Sequence, residues 1–496
     1  MKVSYDEIYD CLAPLAEAGG KLYEVGGPVR DRLMQRPVKD RDVLCTGLAM
    51  SRISALLKPY GKVAGVGKSF GIIKFSPHRR PGLTIDLALP RRERSTGSGH
   101  RDFDVDFDPE LPVEQDLGRR DFTVNAMARS LDDGRIIDPY GGTKDIRDRV
   151  LRMVFPRAFE EDPLRLVRGI QFAARLGFRI EDDTWEAMKR SAALIKTVSG
   201  ERIGMELVKL MSAEKPSRGF DLMRDSGLMK QILPELLAIG GIEQDKQPGD
   251  DVYGHTMRAL DAARSDSALE GAGDLDLMFA VLLHDIGKAH TARFHEPAGR
   301  VVFFGHQLAS KRKARRIAER LKLQAAGIDT SRMLKLIENH MFETKASYTD
   351  RAIRRFVQKV GKDLIFTLID LRIADNRGGK HPAGIKGVLR LRKRIRDELA
   401  KKPPFGPGDL AIDGTDVMEL GPGEGPIVGT ILSALVERVL DDPELNTKDE
   451  LLALAKEMME NPAIRELSVQ RAGRTRSAGF KGEGPDVQKT ESGQGS

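Results

Sequence analysis

Two carboxylates two residues apart, Asp40 and Asp42, stand directly before the apolar run Val43-Leu44-Cys45. If that run is a strand, its alternation turns both acids to one face. Side by side they repel unless a cation lies between them. Two-metal phosphoryl transfer uses this arrangement, with ions about 3.5–4 Å apart clamping the attacking and leaving oxygens. A third acid, Asp86, sits in LTIDLAL, where Leu83, Ile85, Leu87 and Leu89 alternate and Asp86 falls on the opposite face with Thr84 and Ala88. On a neighbouring strand it would complete metal coordination or take the proton of an attacking hydroxyl. A bare Asp-x-Asp is more often a solvated turn, so the surrounding elements must decide.

Residues 22–25 read as a short buried strand ending on Gly26-Gly27, where bare N–H groups allow a phosphate to approach. Pro28 suits the first turn of a two-turn helix, and the chain then returns through residues 39–42. Residues 50–59 read as a helix, and 63–75 with 83–89 as paired strands. Residues 91–110, rich in Gly, Ser and alternating charge, read as a loop. In RRDFTVNAMA (119–128), paired arginines can hold phosphate oxygens through charge-assisted bonds.

Residues 159–178 predict one helix, acidic at its start, with Pro163 in its first turn and Gly177 at its stop. Asp162 and Arg165, three apart, would then be neighbours on one face, ordinarily a weak surface ion pair. They also permit something sharper. Cytosine and adenine each present an exocyclic amine beside a ring acceptor, whereas uracil and guanine present a carbonyl beside an N–H. A carboxylate and a guanidinium together accept the first pair and leave polar groups unpaired on the second. Trp185 is expected in the core.

Farther on, His255, His284-Asp285 and Asp375 span about 120 residues on helical segments, a set suited to Mn, Ni, Co or Mg. A metal held there would activate water against a phosphoester. His306 and His340 are candidates for extra ligands or phosphate contacts, and Lys288 for neutralising a substrate phosphate. An isolated His-Asp is otherwise a structural pair, and the region could be a metal-free RNA-binding domain.

Over 496 residues, 40% are hydrophobic and 31% charged, as in a soluble multidomain protein. No run is apolar enough to cross a membrane, and the N-terminus has no signal-peptide pattern. Two cysteines, Cys11 and Cys45, make no disulfide framework. A cytoplasmic location is expected. Lys and Arg exceed Asp and Glu by a net charge of +7, which suits a polyanionic partner without requiring one.

Together LYEVGGPVRDRLMQRPVKDRDVLCTG (22–47), RRDFTVNAMA, EDPLR (161–165), ERIGME (201–206) and H…HD…D resemble the class II tRNA nucleotidyltransferases, the CCA-adding enzymes and their bacterial poly(A) polymerase relatives, with an HD phosphohydrolase domain added. The resemblance implies an α+β nucleotidyltransferase head with a small mixed sheet (1–150), a helical base-recognising neck (151–245), an HD domain (246–380), a helical tRNA-binding body and tail (381–465) and a disordered end (466–496). It implies catalytic Asp40, Asp42 and Asp86, the first two on Mg²⁺, with ATP and CTP as substrates and tRNA as partner. Nucleotide contacts would come from Gly26, Gly27, Arg30, Arg120, Asp121, Asn125, Asp162, Arg165 and Arg168, with Arg202 bracing the reading helix. His255, His284, Asp285 and Asp375 would be the HD ligands, for phosphatase or cyclic phosphodiesterase activity. A poly(A) polymerase, an A-only or CC-only enzyme, and an HD phosphohydrolase with an RNA-binding head are the competing readings. Sequence leaves oligomeric state open.

Overall fold

A computed structural model describes residues 5–38, 40–66, 71–95, 103–243, 251–345, 347–379, 384–401, 404–421, 425–462 and 464. Lys39, residues 96–102 of the predicted loop and the 466–496 end lie outside them. The chain divides into two compact units, residues 1–341 with 370–383, and residues 342–369 with 384–496.

The first unit begins with helix α1 (Tyr5–Glu17), strand β1 (Lys21–Val25), helix α2 (Gly27–Leu33), strand β2 (Asp42–Thr46), helix α3 (Met50–Leu57), and strands β3 (Gly61–Val66), β4 (Ile72–Pro77) and β5 (Ile85–Ala88). With β6 (Arg91–Ser95) and β7 (Phe103–Phe107) apart, helix α4 (Val113–Gly118) and strands β8 (Ala128–Ser130) and β9 (Ile136–Ile137) complete it, and the main sheet runs β3-β4-β5-β2-β1-β8-β9. The β2–β5 pair is parallel and its neighbours antiparallel, so the sheet is mixed. Alternation in β2 sends Val43 and Cys45 into a core with Ile8, Leu12, Ile53 and Leu57 from α1 and α3. Leu44 goes to the other face, with Val113 and Leu117 of α4.

Four sequence expectations change here. The strand predicted over 63–75 is a hairpin, β3 paired antiparallel with β4. The loop predicted over 91–110 contains a second ribbon, β6 paired with β7 from Arg91↔Phe107 to Ser95↔Phe103. Its alternating Phe103, Val105 and Phe107 are a period-two signal that the charge and Gly content obscured. The helix predicted over 159–178 is broken into Ala158–Glu161 and Leu164–Leu176, with Asp162 extended at φ −134° and ψ 96°. Pro163 is the cause: its ring disfavours the helical conformation in the residue before it. Trp185 is half-buried on Asp182–Ser191 rather than a core residue.

The remainder of the first unit is mainly helical, with two short strand pairs, Val150–Leu151 with Arg179–Ile180 and Arg293–His295 with Arg300–Val302. Helices Gly200–Met211 and Leu164–Leu176 pack together, and Val252–Ser265, Leu275–Leu283, His306–Arg320 and Thr330–Asn339 follow. Helix Ile365–Gly378 carries the first unit's last described helical residues, from 370 on. In the second unit, a basic helix spans Lys386–Ala400 and a further helix spans Pro426–Asp441. A buried Arg354–Glu398 ion pair of 2.9 Å and a core around Leu435, Val439 and Leu451 hold it together. No helix among the described residues is long and apolar enough to cross a membrane.

Candidate active site and metal centre

Strand register places the acids. Asp42 and Asp86 are direct partners across the parallel β2–β5 pair, on the face shared by Leu44 and Ala88. The backbone N–H of Asp86 donates to the carbonyl of Arg41 at 2.8 Å, which locks that register. Asp40 lies exposed just before the strand rather than within it, yet close enough to act electrostatically on Asp42. Burial foremost, then the charges of Asp40 and Asp86, raises the pKa of Asp42 to about 6. Three acids crowded until one resists ionising repel one another, a strain that a cation would relieve. Lys74 faces Asp86 at 3.2 Å. In the metal-free protein, Mg²⁺ affinity should therefore fall steeply below pH 6, as Asp42 takes up its proton; titration calorimetry at pH 5 and 7.5 checks this, and equal affinities would contradict it.

The glycine turn lies beside this trio. Gly26 has φ +75°, and a Cβ there would lie 2.6 Å from Arg120 Nη1. Its own N–H donates to Met127 O at 3.1 Å, so Gly26 supplies conformation and room rather than a donor. Arg120 is anchored by the fully buried Asp116, 3.2 Å away, which also binds Arg119 at 2.6 Å. Burial opposes ionisation of Asp116, but these two arginines outweigh it and hold its pKa below the ordinary range. Arg120 Nε is buried without a hydrogen-bond partner. The spacing of Asp116 from the paired arginines, three and four along the chain, was a readable but overlooked signal.

Behind the turn runs a continuous polar chain. Arg30 Nη1 donates to Asn125 Oδ1 at 2.6 Å, and Asn125 Nδ2 donates to Asp121 Oδ1 at 3.1 Å. Arg168 donates to Asp121 Oδ2 through Nε at 2.8 Å. Arg30 and Arg168 also lie over the Phe172 ring, at 5.3 and 5.2 Å. Asp121, with its oxygens taken by Arg168, Asn125 and the N–H of Phe122, is a buried hub. Arg168→Met should destabilise the protein by about 3–5 kcal/mol, because it strands a buried carboxylate; urea unfolding measures it, and a loss under 1 kcal/mol would contradict the hub.

Asp162 and Arg165 do not form the expected helix-face pair. Arg165 is buried, with Nη2 donating to Arg119 O at 2.7 Å, Nη1 to Ala158 O at 3.3 Å, and its plane over Phe155 at 5.4 Å. Asp162, on the extended residue before Pro163, pairs with Arg202 at 3.2 Å. Arg202 of the ERIGME segment thus braces the carboxylate directly. Two carbonyls use two of the five N–H groups of the Arg165 guanidinium.

The second constellation is denser. His255 Nε2 lies 2.9 Å from Asp375 Oδ1, and His284 Nε2 lies 3.2 Å from Asp285 Oδ2 and 3.5 Å from Asp375 Oδ1. His306 and His340, secondary candidates from sequence, join the cluster fully: His306 Nε2 is 3.3 Å from Asp285 Oδ1 and 3.1 Å from His340 Nε2. The Nδ1 atoms of His284, His306 and His340 meet the carbonyls of Val281, Phe303 and Ile337, each three residues back, at 2.7–2.8 Å. Those bonds fix the rings with Nε2 inward, as metal-ligating histidines require. Gly287 allows the approach, since a Cβ there would lie 2.4 Å from His306 O.

Two buried atoms, His284 Nε2 and Asp285 Oδ1, find no hydrogen-bond partner, so the donor set fits a cation. Burial disfavours charge on His284, but Asp285 and Asp375 outweigh it and raise its pKa to about 10. Burial and the neighbouring His284 lower His340 to about 3. Lys288, expected to face a substrate phosphate, instead donates to Asp285 Oδ2 at 2.6 Å over the Phe303 ring.

Fold and sites together define a nucleotidyltransferase with an appended HD domain. The Poly A polymerase head domain matches residues 22–152, the probable RNA and SrmB-binding site of polymerase A matches 177–239, and the HD domain matches 252–377. The multifunctional CCA protein of Pasteurella multocida is 34% identical over 368 residues, covering 72% of this chain and 84% of that one. That of Halorhodospira halophila is 38% identical over 312 residues, covering 61% and 70%. The chain belongs to the multifunctional CCA protein family. Among solved structures, the CCA-adding enzyme of Bacillus stearothermophilus in complex with CTP has a TM-score of 0.64 at 25% identity, covering 97% of this chain and 100% of that one.

Proposed function

We propose that this chain adds C and A from CTP and ATP to the 3′ end of tRNA, releasing pyrophosphate, and that its HD domain is a metal-dependent phosphohydrolase acting on RNA ends. The observation that carries the first part is the Asp42↔Asp86 register with Asp40 beside it, next to a glycine turn overhung by Arg120. Similarity to CCA proteins along most of their length supports the substrate assignment.

Asp40 and Asp42 would hold Mg²⁺. When bound, Mg²⁺ draws the triphosphate and the attacking 3′ oxygen together and offsets their charge. Asp86 stands where it can accept the hydroxyl proton, once Lys74 gives way. The N–H groups at the start of α2, from Gly27, and the Arg120 guanidinium take phosphate oxygens. Arg30 and Asn125 face the nucleotide, while Asp121 acts through them and Arg168 as a positioning residue. Asp162 receives the amine of C or A, and Arg165 donates one of its remaining N–H groups to the ring nitrogen, with Arg202 holding Asp162 in place.

In the HD domain, His255, His284, Asp285 and Asp375 would hold a divalent ion, Ni²⁺, Mn²⁺, Co²⁺ or Mg²⁺, which when bound supplies an activated water. The proposed organisation is a head to about residue 150, a neck to 245, the HD domain to 380 and a tRNA-gripping body beyond. The cytoplasm is the proposed compartment. Incubation with tRNA lacking its 3′ end, Mg²⁺ and each labelled NTP tests base choice: CTP and ATP should be incorporated at least about 10²-fold better than UTP and GTP. Equal use of all four would overturn the roles of Asp162 and Arg165.

A further inference from the structure

We propose that the hairpin between Lys288 and His306 is a base-stacking platform at the lip of the HD cluster, with the Phe304 ring taking the base of an RNA's terminal nucleotide. The inference rests on the phosphohydrolase reading of that domain and names what selects its substrate.

Both feet of this excursion stand on one carboxylate. Lys288 Nζ lies 2.6 Å from Asp285 Oδ2, and His306 Nε2 lies 3.3 Å from Asp285 Oδ1. Two further contacts close the base of the hairpin. The Gly287 N–H donates to Ser310 Oγ at 2.9 Å, and Lys288 Nζ lies 5.3 Å from the centre of the Phe303 ring. Between the feet, Arg293–His295 pairs antiparallel with Arg300–Val302. Phe304, next to Phe303 and two residues before His306, therefore stands beside the buried cluster, yet is itself 75% exposed. The ring is not loose, because His295 meets it in a T-shaped contact, centroids 6.0 Å apart at 79°. That contact sets the ring's orientation and leaves it open to a stacking partner.

The surroundings favour a nucleobase over an apolar protein surface. Between its feet the chain carries Arg293 and Arg300 against a single acid, Glu296. On the adjoining helix His306–Arg320, Lys313 lies 3.4 Å from His290, and Arg312 is exposed. Exposed rings among cations are the chemistry of single-stranded nucleic-acid binding, in which rings stack on bases and cations meet phosphates. A terminal nucleotide with its phosphate at the cluster carries its base one ribose away, towards the ring two residues from His306. Phe294 supplies an internal control. It is 67% exposed but pairs opposite Val301, and strand alternation turns it to the hairpin face away from His295.

Hydrolysis of two short RNAs ending in a 2′,3′-cyclic phosphate tests this with the Mn²⁺-loaded full chain. One RNA keeps its terminal base and the other is abasic there. Phe304→Ala should raise KM for the intact RNA about 5–100-fold with kcat little changed, and move KM for the abasic RNA by less than about twofold. Phe304→Trp should match or tighten the parent's KM, and Phe294→Ala should stay within about twofold of it. In chelator, where hydrolysis stops, a 4-thiouridine as last nucleotide should photocrosslink to Phe304, located by peptide mass spectrometry. An unchanged KM in Phe304→Ala, equal losses on both RNAs, an equal loss in Phe294→Ala, or no crosslink at Phe304 would overturn the platform and leave the phosphohydrolase reading standing. So would a dimer in analytical ultracentrifugation that Phe304→Ala dissolves, since a second copy would then cover the ring. Failure of the parent to hydrolyse either RNA would overturn both.

Discussion

Asp42→Asn should lower nucleotide addition by on the order of 10²–10³-fold or more, a loss comparable to removing a principal electrostatic stabiliser of a transition state, while making the protein more stable at pH 7. The two effects share one cause. Asn keeps the shape of the side chain and its place opposite Asp86 but cannot offer a charged oxygen to Mg²⁺. It also removes a carboxylate that the folded state disfavours. Burial, Asp40 and Asp86 raise the Asp42 pKa to about 6 from 3.8, so the unfolded chain releases this proton more readily than the folded one. Stability is therefore lost as pH rises from about 4 through 6. At pH 7 the variant should gain about 1–3 kcal/mol over the parent, and the gain should vanish near pH 4. Urea unfolding at the two pH values, with an addition assay, checks both effects. Full addition by the variant would refute the metal assignment, and a destabilised variant would refute the electrostatic account of the trio.

Asp285→Asn should do the opposite to stability and act on a different reaction. Phosphoesterase activity should fall by on the order of 10²–10³-fold, since Asp285 lies against both His284 and His306 in the HD cluster. Nucleotide addition should persist. Here the charged carboxylate is strongly favoured: burial opposes it, but His284 and Lys288 outweigh that and hold its pKa well below the ordinary range. Its removal leaves Lys288 and a protonated His284 without their main partner, at a cost of about 3–5 kcal/mol. A cyclic phosphodiester substrate and a thermal melt provide the two readouts. Loss of addition alongside phosphoesterase loss, in a variant that still folds, would contradict the division of labour.

How far these sites were legible from sequence depended on whether their signals were local. The glycine turn, Asp42 and Asp86 could be read because strand alternation and a proline-initiated helix are short-range patterns, and β1, α2, β2 and β5 form close to where those patterns put them. The H…HD…D set was legible through residue types alone. Its two further histidines were only half-read, because a ring's direction depends on a carbonyl three residues back and on helix packing. The pairing of Asp162 with Arg165 failed for a local reason that had been visible: Pro163 bends the preceding residue out of the helix, which turns Asp162 to Arg202, forty residues on. The Arg30–Asn125–Asp121–Arg168 chain joins residues up to 138 apart in sequence, and no periodicity announces such a contact. The ribbon of β6 and β7 was missed because charge and glycine content were weighed above alternation.

We propose that this chain builds a defined C and A end without a nucleic-acid template, the head supplying phosphoryl chemistry and Asp162 with Arg165 choosing the base. Its most direct test is to give the purified protein a tRNA ending just before the missing 3′ nucleotides, with Mg²⁺ and all four NTPs together, and to sequence the extended ends. Ends reading C-C-A and no longer are expected. Runs of A without C, ends holding C alone, or U and G among the added nucleotides would contradict it.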